Sequence, residues 1–268
     1  MIKVATIAGS DASGGAGLEA DLKTFEEFGL YGMTAITVIA TMDPEDNWAH
    51  KVFPIDELAL RAQLETIFKG VVPAALKTGM LGTPYAVELS REYISAGGIK
   101  KYVLDPVMVC KGAGEALSPE LNAAIEAKLL PLSCVATPNL FEAEQLSGIK
   151  NIDSIDKMKS AAKRIREKGA QNVFIKGGAK LAGQRQAIDV FFDGKNFDLI
   201  EAPLIDTKWT HGAGCTTAAA ICAGLAQGLS VLDAVKTAKK FITASLSHSF
   251  ALNKWVGPGN PAAWRDAF

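Results

Sequence analysis

Residues 4–29 read VATIAGSDASGGAGLEADLKTFEEFG. Val4 to Gly9 is an uninterrupted small apolar run, the pattern of a strand buried on both faces. Gly15 to Gly29 then reads as an amphipathic helix. Between them, Gly14, Gly15 and Gly17 let backbone N–H groups approach a ligand closely at a helix start, where the dipole also favours anions. On this stretch alone a plain strand-to-helix turn is the slightly stronger reading. The glycine spacing is neither G-x-x-x-x-G-K-[ST] nor G-x-G-x-x-G, so neither standard nucleotide loop is present.

The same alternation runs along the chain. Strand candidates follow at 33–40 (MTAITVIA), 74–79 (AALKTG), 102–107 (YVLDPV), 134–138 (CVATP) and 172–178 (NVFIKGG), with helix-period segments between them. Strands apolar throughout, each followed by an amphipathic helix, predict an α/β fold: a mostly parallel sheet covered by helices on both faces. Residues 189–203 (DVFFDGKNFDLIEAP) break the rhythm, and two strand-like runs around Asp193-Gly194 predict a small antiparallel excursion. Two alanine-rich helices, about 215–228 and 231–247, close the chain. With no linker and no internal repeat, residues 1–268 are expected to form one domain. The polar segment MDPEDNWAHKVF (42–53), with Pro44, Trp48 and His50, reads as a loop or flap between strands.

Composition narrows the function classes. Of 268 residues, 49% are hydrophobic and 21% charged. That suffices for a sizeable core and lacks the bias of fibrous, disordered or disulfide-stapled chains. Lys+Arg total 28 against Asp+Glu 29, a net charge of −1. No basic block is long enough to track a phosphate backbone, which disfavours nucleic acid. No uncharged apolar stretch approaches the ~20 residues that span a bilayer, and the N-terminal apolar run is short for a signal peptide. A cytoplasmic protein without membrane contact is expected. Cys110, Cys134, Cys215 and Cys222 should then be thiols, and no two stand at C-x-x-C spacing.

Four short segments carry candidate chemistry. In THGAGCTTAAA (210–220), Gly212, Ala213 and Gly214 can point successive N–H groups into one concavity, and the following helix adds its positive end. This suits charge developing on a transferring phosphoryl group. Stability alone would favour Ser, Thr, Asp or Asn at such a helix start, so a thiol there asks for another reason. The same surroundings are expected to lower the Cys215 pKa from its ordinary ~8.5, making the thiolate a candidate base. In TPNLFEAEQL (137–146), Asn139 and Glu142 match a capping box, which by itself explains both. As oxygen donors at a strand's carboxyl end they could also hold a hydrated Mg²⁺. Asp105 could add a second carboxylate, although Asp-Pro usually just ends a strand. Lys176 and Gly177 in IKGG (175–178) could reach a polyphosphate, or form an ordinary turn with a solvated lysine. Cys110 in DPVMVCKG (105–112) is by default a buried thiol.

Taken in order, these segments make the chain similar to the ribokinase-like superfamily, in the branch of hydroxymethylpyrimidine and pyridoxal kinases. TIAGSDASGGAGLEADLKTF, YGMTA, KTGML (77–81), DPVM (105–108), TPNLFEA (137–143) and THGAGC (210–215) follow the family's order over essentially the whole chain. Each is weak alone; the set is specific. The resemblance implies a three-layer kinase fold, ATP and Mg²⁺, a small-molecule substrate and a homodimer. It implies that Gly212, Ala213 and Gly214 form the anion hole, and that Cys215 stands where most members carry a catalytic aspartate. It further implies that Asn139 and Glu142 organise Mg²⁺ with Asp105 nearby, and that Lys176, beside Gly177, contacts the ATP phosphates. Gly9, Asp21, Met80 and Val107 match positions that line the substrate ring pocket, over which Trp48 and His50 could close.

The acceptor is a finer question. Thiamine-type members of the branch read AQNT after the second strand, and their glutamine pairs with the aminopyrimidine. Here residues 41–44 are TMDP, and neither Met42 nor Asp43 reproduces an amide's paired donor and acceptor. Those members also usually lack a cysteine after DPVMV. A thiol at Cys110 could add across an aldehyde carbonyl as a hemithioacetal and favour pyridoxal over pyridoxine. The expected activity is phosphorylation of the 5′-hydroxymethyl group of pyridoxal by ATP, with pyridoxine and pyridoxamine as further acceptors to test. Hydroxymethylpyrimidine kinase is the runner-up.

Overall fold

The structure, a computed structural model, describes residues 1–108, 119–181 and 185–266. The strands are β1 (Lys3–Asp11), β2 (Tyr31–Asp43), β3 (Ala49–Pro54), β4 (Ala75–Thr78), β5 (Tyr102–Leu104), β6 (Val135–Ala136), β7 (Asn172–Ile175), β8 (Gln186–Phe192) and β9 (Phe197–Pro203). They form one sheet in the order β3-β2-β1-β4-β5-β6-β7-β8-β9. The run from β2 through β1 and β4 to β7 is parallel. The antiparallel pieces lie at the two edges, β3 on β2 and the β8–β9 hairpin on β7.

The excursion expected at 189–203 is the β8–β9 hairpin, its turn closed by Lys195 and Asn196 N–H groups donating to Asp193 Oδ1. The segment 42–53, read from sequence as a loop or flap, instead supplies the end of β2 and all but the last residue of β3. An edge strand has one side open to water, so it can be polar throughout and shows no apolar period. Pro44 falls in the turn between the strands.

The helices are α1 (Gly17–Glu27), α2 (Glu57–Gly70), α3 (Pro84–Ala96), α4 (Pro119–Lys128), α5 (Leu140–Ser147), α6 (Ile155–Glu167), α7 (Ala213–Ala226) and α8 (Val231–Ser247). Alternate strand residues feed two cores. Ala5, Ile7, Leu76, Leu104 and Val173 pack with residues of α2 to α6; Val4, Ala75, Val103 and Phe174 pack with α1, α7 and α8. This is why the strands read as apolar without interruption. The alanines of α7, including Ala218, Ala219, Ala220 and Ala223, are fully buried and bring that helix close beneath the sheet. Among the described residues no helix is long and apolar enough to cross a membrane.

From β1 the chain moves one way to β2, and β4 lies on the other side of β1. Such a reversal opens a crevice outside the strands' carboxyl ends. Asp11, Gly79, Asp105, Asn139 and Lys176 all stand at or just beyond those ends.

Candidate active site

Among the described residues five helices begin with a side-chain cap: Asp56, Thr83, Asn139, Ser154 and Ser230 each accept a first-turn N–H of α2, α3, α5, α6 and α8. The helices α1 and α7 have none, and both start from glycine-rich segments at the crevice. Gly212 is the N-cap of α7, with φ +74°. A Cβ there would overlap the Gly15 carbonyl oxygen, so only glycine fits. Ala213 and Gly214 are therefore the first helical residues rather than a loop before the helix. The Ala213 N–H already donates to Thr210 O at 3.2 Å, so the uncapped amides begin at Gly214. Capping this helix with Ser or Asp would fill the place an anion could take, which accounts for their absence.

Cys215 sits in that first turn and keeps some contact with solvent. The sequence expectation of a lowered thiol pKa is not met: Cys215 is pushed up to about 11. Burial is the largest cause, and the Asp21 and Asp105 carboxylates add to it. Lys77 and the Gly17 N–H pull the other way without prevailing.

Two buried ion pairs surround the thiol. Lys77 Nζ donates to Asp21 Oδ1 at 2.9 Å and Oδ2 at 2.8 Å, and Thr6 Oγ1 donates to Asp21 Oδ2 at 2.6 Å. Both charged side chains are 0% exposed. Asp21, expected to line the ring pocket, is fully buried with both carboxylate oxygens engaged. Lys77 was not singled out from sequence; the signal was a lysine inside the otherwise apolar strand AALKTG. In the second pair, Lys176 Nζ donates to Asp105 Oδ1 at 2.8 Å. Lys176 is therefore paired and largely buried rather than solvated. A Cβ on Gly214 would lie 3.4 Å from Lys176 Nζ, so the open end of α7 and this ammonium face each other.

Asn139 and Glu142 do form the capping box: Asn139 N–H donates to Glu142 Oε2 at 2.8 Å and Glu142 N–H to Asn139 Oδ1 at 3.0 Å. Burial pushes the Glu142 carboxyl up to about 7; Lys176 opposes this and Asp105 reinforces it. Burial also acts to raise Asp105, but Lys176 and Lys77 outweigh it and hold this carboxyl below its usual range. Among the described residues no three acidic, histidine or cysteine side chains converge as a metal cage. Two carboxylates flanking a lysine fit Mg²⁺, which keeps most of its waters and shares substrate phosphates.

A Cβ on Gly9 would lie 2.7 Å from Val38 Cγ2 and 3.8 Å from Met80 Cβ, and partly buried Val107 follows Asp105. His50 on β3 is paired in register with Met42 on β2, and its ring lies 6.4 Å from that of His211. Trp48 stacks on Trp255. Gly177 is pressed against the Ile188 carbonyl, where a Cβ would clash. Cys110 lies outside the described residues.

A family model described as phosphomethylpyrimidine kinase matches residues 11–260. The pyridoxine kinase of Bacillus subtilis is 53% identical over 265 residues, covering 99% of this chain and 97% of the relative. The hydroxymethylpyrimidine/phosphomethylpyrimidine kinase of Haemophilus influenzae is 41% identical over 265 residues, covering 98% and 97%. The pyridoxal kinase from Staphylococcus aureus, solved in complex with AMP-PCP and pyridoxal, has a TM-score of 0.93 to this structure at 44% identity, over 99% of this chain and 95% of that one. Likeness therefore runs from the first glycine loop to the last segments of the chain and extends to the fold itself: the chain belongs to the phosphomethylpyrimidine kinase family.

Proposed function

We propose that this protein is an ATP-dependent pyridoxal kinase, which transfers the γ-phosphoryl group of MgATP to the 5′-hydroxymethyl oxygen of pyridoxal and yields pyridoxal 5′-phosphate. One observation carries this: the uncapped start of α7, with Cys215 in its first turn, faces the buried Lys176 ammonium across a switch-point crevice. Phosphoryl transfer passes through a loose transition state, and catalysis is mostly positioning and charge stabilisation. The amides from Gly214 onward and Lys176 would take the charge on the transferring group. Asp105 and Glu142 would hold hydrated Mg²⁺, which supplies neutralisation of the phosphates when bound. Cys215, in its minor thiolate form, would accept the hydroxyl proton as the new P–O bond forms and the bond from the γ-phosphorus to the ADP oxygen breaks. Gly9, Met80 and Val107 offer a small, apolar floor for the ring.

Pyridoxal is favoured over hydroxymethylpyrimidine because Met42, opposite His50, supplies no amide for an aminopyrimidine. The higher identity to the pyridoxine kinase agrees. With MgATP saturating, kcat/KM for pyridoxal should exceed that for hydroxymethylpyrimidine by more than about tenfold. The opposite order would keep the kinase and overturn the acceptor. Cys110→Ala should narrow the preference for pyridoxal over pyridoxine if its thiol adds to the aldehyde.

We read the whole chain as one catalytic unit acting in the cytoplasm, where the free thiols Cys134, Cys215 and Cys222 persist. A homodimer is supported by the edge strand β3, whose Phe53 and its cross-strand partner Ile39 are both exposed.

A further inference from the structure

Asp11 and His211 are 200 residues apart in sequence and form one of the shortest polar links at the crevice, His211 Nε2 to Asp11 Oδ2 at 2.7 Å. Their side chains are only 11% and 6% exposed, so this is not a loose surface pair. Asp11 ends β1, and its carboxylate also accepts the Ser13 N–H on Oδ1 and the Ala16 N–H on Oδ2, each at 2.8 Å. It is thereby the organising acceptor of the first glycine loop. Its own N–H donates to Glu19 Oε2 at 2.8 Å, and Ser10 Oγ donates to Glu19 Oε1 at 2.6 Å, which anchors the strand end to α1. Burial acts to raise the Asp11 carboxyl, but its bonds to His211 and Ser13 outweigh this and bring it to about 2. It is ionised at neutral pH.

His211 is the residue immediately before Gly212. Its N–H donates to Gly257 O at 3.0 Å, and its ring packs so closely on the first loop that a Cβ on Gly15 would lie 2.5 Å from Cδ2. The left-handed Gly212 turn has no side chain of its own to fix it, and a glycine is the residue with most conformational freedom to lose. Its geometry must be set by its neighbours. The side chain of His211 ties it to Asp11, and the contact between Gly212 and the Gly15 carbonyl closes the same joint.

We infer that Asp11 and His211 are positioning residues for phosphoryl transfer: the pair holds the Gly212 turn, and through it the open end of α7, in register with the first glycine loop. Granted the kinase reading on which this rests, the pair matters most in the transition state, when the amides must meet charge on the transferring group. Misplacement of such a group by about 1 Å costs on the order of 10²-fold.

Titration calorimetry with two probes tests this. In the presence of pyridoxal, MgADP–aluminium fluoride mimics the transferring phosphoryl group, whereas AMP-PCP mimics the ground state. Wild type should bind the first more tightly. His211→Ala and Asp11→Asn should each lose about 10²-fold in affinity for MgADP–aluminium fluoride, with kcat falling in parallel and AMP-PCP affinity kept within about threefold. His211→Gln, whose amide can still donate to Asp11, should recover at least about tenfold of that loss. Equal losses for Gln and Ala at position 211, or parallel weakening of both probes, would overturn the assignment. The two His211 variants decide the matter even where Asp11→Asn fails to fold. A wild type with no preference between the probes sinks the kinase reading, and this inference with it, before any variant is compared.

Discussion

Cys215→Ala is expected to lower kcat by about 10²- to 10⁴-fold, the range a positioned proton acceptor supplies, while ATP affinity stays within a few-fold of wild type. The split follows from position. The sulfur lies at the Gly17 N–H, amid Lys77, Asp21 and Asp105, whereas Lys176 and the α7 amides remain to bind phosphate in the variant. Wild-type pH dependence provides a second check. A thiol raised to about 11 is neutral below that value, so the thiolate fraction grows about tenfold per pH unit between pH 6 and 9. Wild-type kcat should therefore climb through that interval without a plateau, and the alanine variant should lack the climb. Cys215→Asp, whose carboxyl has an ordinary pKa of ~3.9, far below that of a thiol, should shift the climb to lower pH at higher activity than alanine. ADP release at saturating pyridoxal and MgATP measures all three. Alanine turnover within about threefold of wild type would remove Cys215 as the proton acceptor.

What could be read from sequence was what depends on neighbours in the chain. The Asn139–Glu142 box spans four residues, so the spacing alone announces it. The Asp193-Gly194 turn is equally local, and the β8–β9 hairpin follows it. Core strands were legible because burial on both faces leaves few polar positions, as Val4 and Ala5 facing opposite cores illustrate. The misreadings share a different cause. β3 was missed because an edge strand is free of the pattern that marks interior ones. The Cys215 thiol was expected to titrate low because its own helix argues so; the outcome depends on carboxylates from α1 and from the end of β5, and on burial by the whole fold. Asp11 meets His211 across 200 residues and Lys77 meets Asp21 across 56. No local rule connects such partners. A charged residue inside an apolar run, as Lys77 is, was the trace that such a partner must exist.

The second large effect concerns that lysine. Lys77→Met should destabilise the protein by about 3–5 kcal/mol, because removing one partner of a fully buried pair leaves the other charge uncompensated. At a urea m-value of roughly 3 kcal/mol/M this is a fall in midpoint of about 1–1.7 M. The double variant Asp21→Asn with Lys77→Met should regain most of the loss, since a neutral pair of similar volume needs no counter-charge. Asp21 holds the ammonium above its ordinary pKa against the opposing effect of burial. The raised lysine contributes stability that is complete below the unfolded value of ~10.5, but burial raises the Asp21 carboxyl even beside it. Without the ammonium that carboxyl should rise further, so the deficit of the single variant should grow with pH until the folded carboxyl ionises. A single variant no less stable than the double would mean that the pair is not coupled as its geometry indicates. Activity should separate from stability in the double variant. Gly17, whose N–H meets the Cys215 sulfur, lies four residues before Asp21, one turn away on the same face of α1. The Lys77–Asp21 pair therefore fixes that face of α1 to β4 and, with it, the amide beside the thiol. Lys77 is also the cation that most lowers the Cys215 pKa. The double variant loses both this cation and the Asp21 carboxylate that opposes it, so the thiol should stay raised and the folded variant should show a kcat that climbs with pH as in wild type, from a lower starting point.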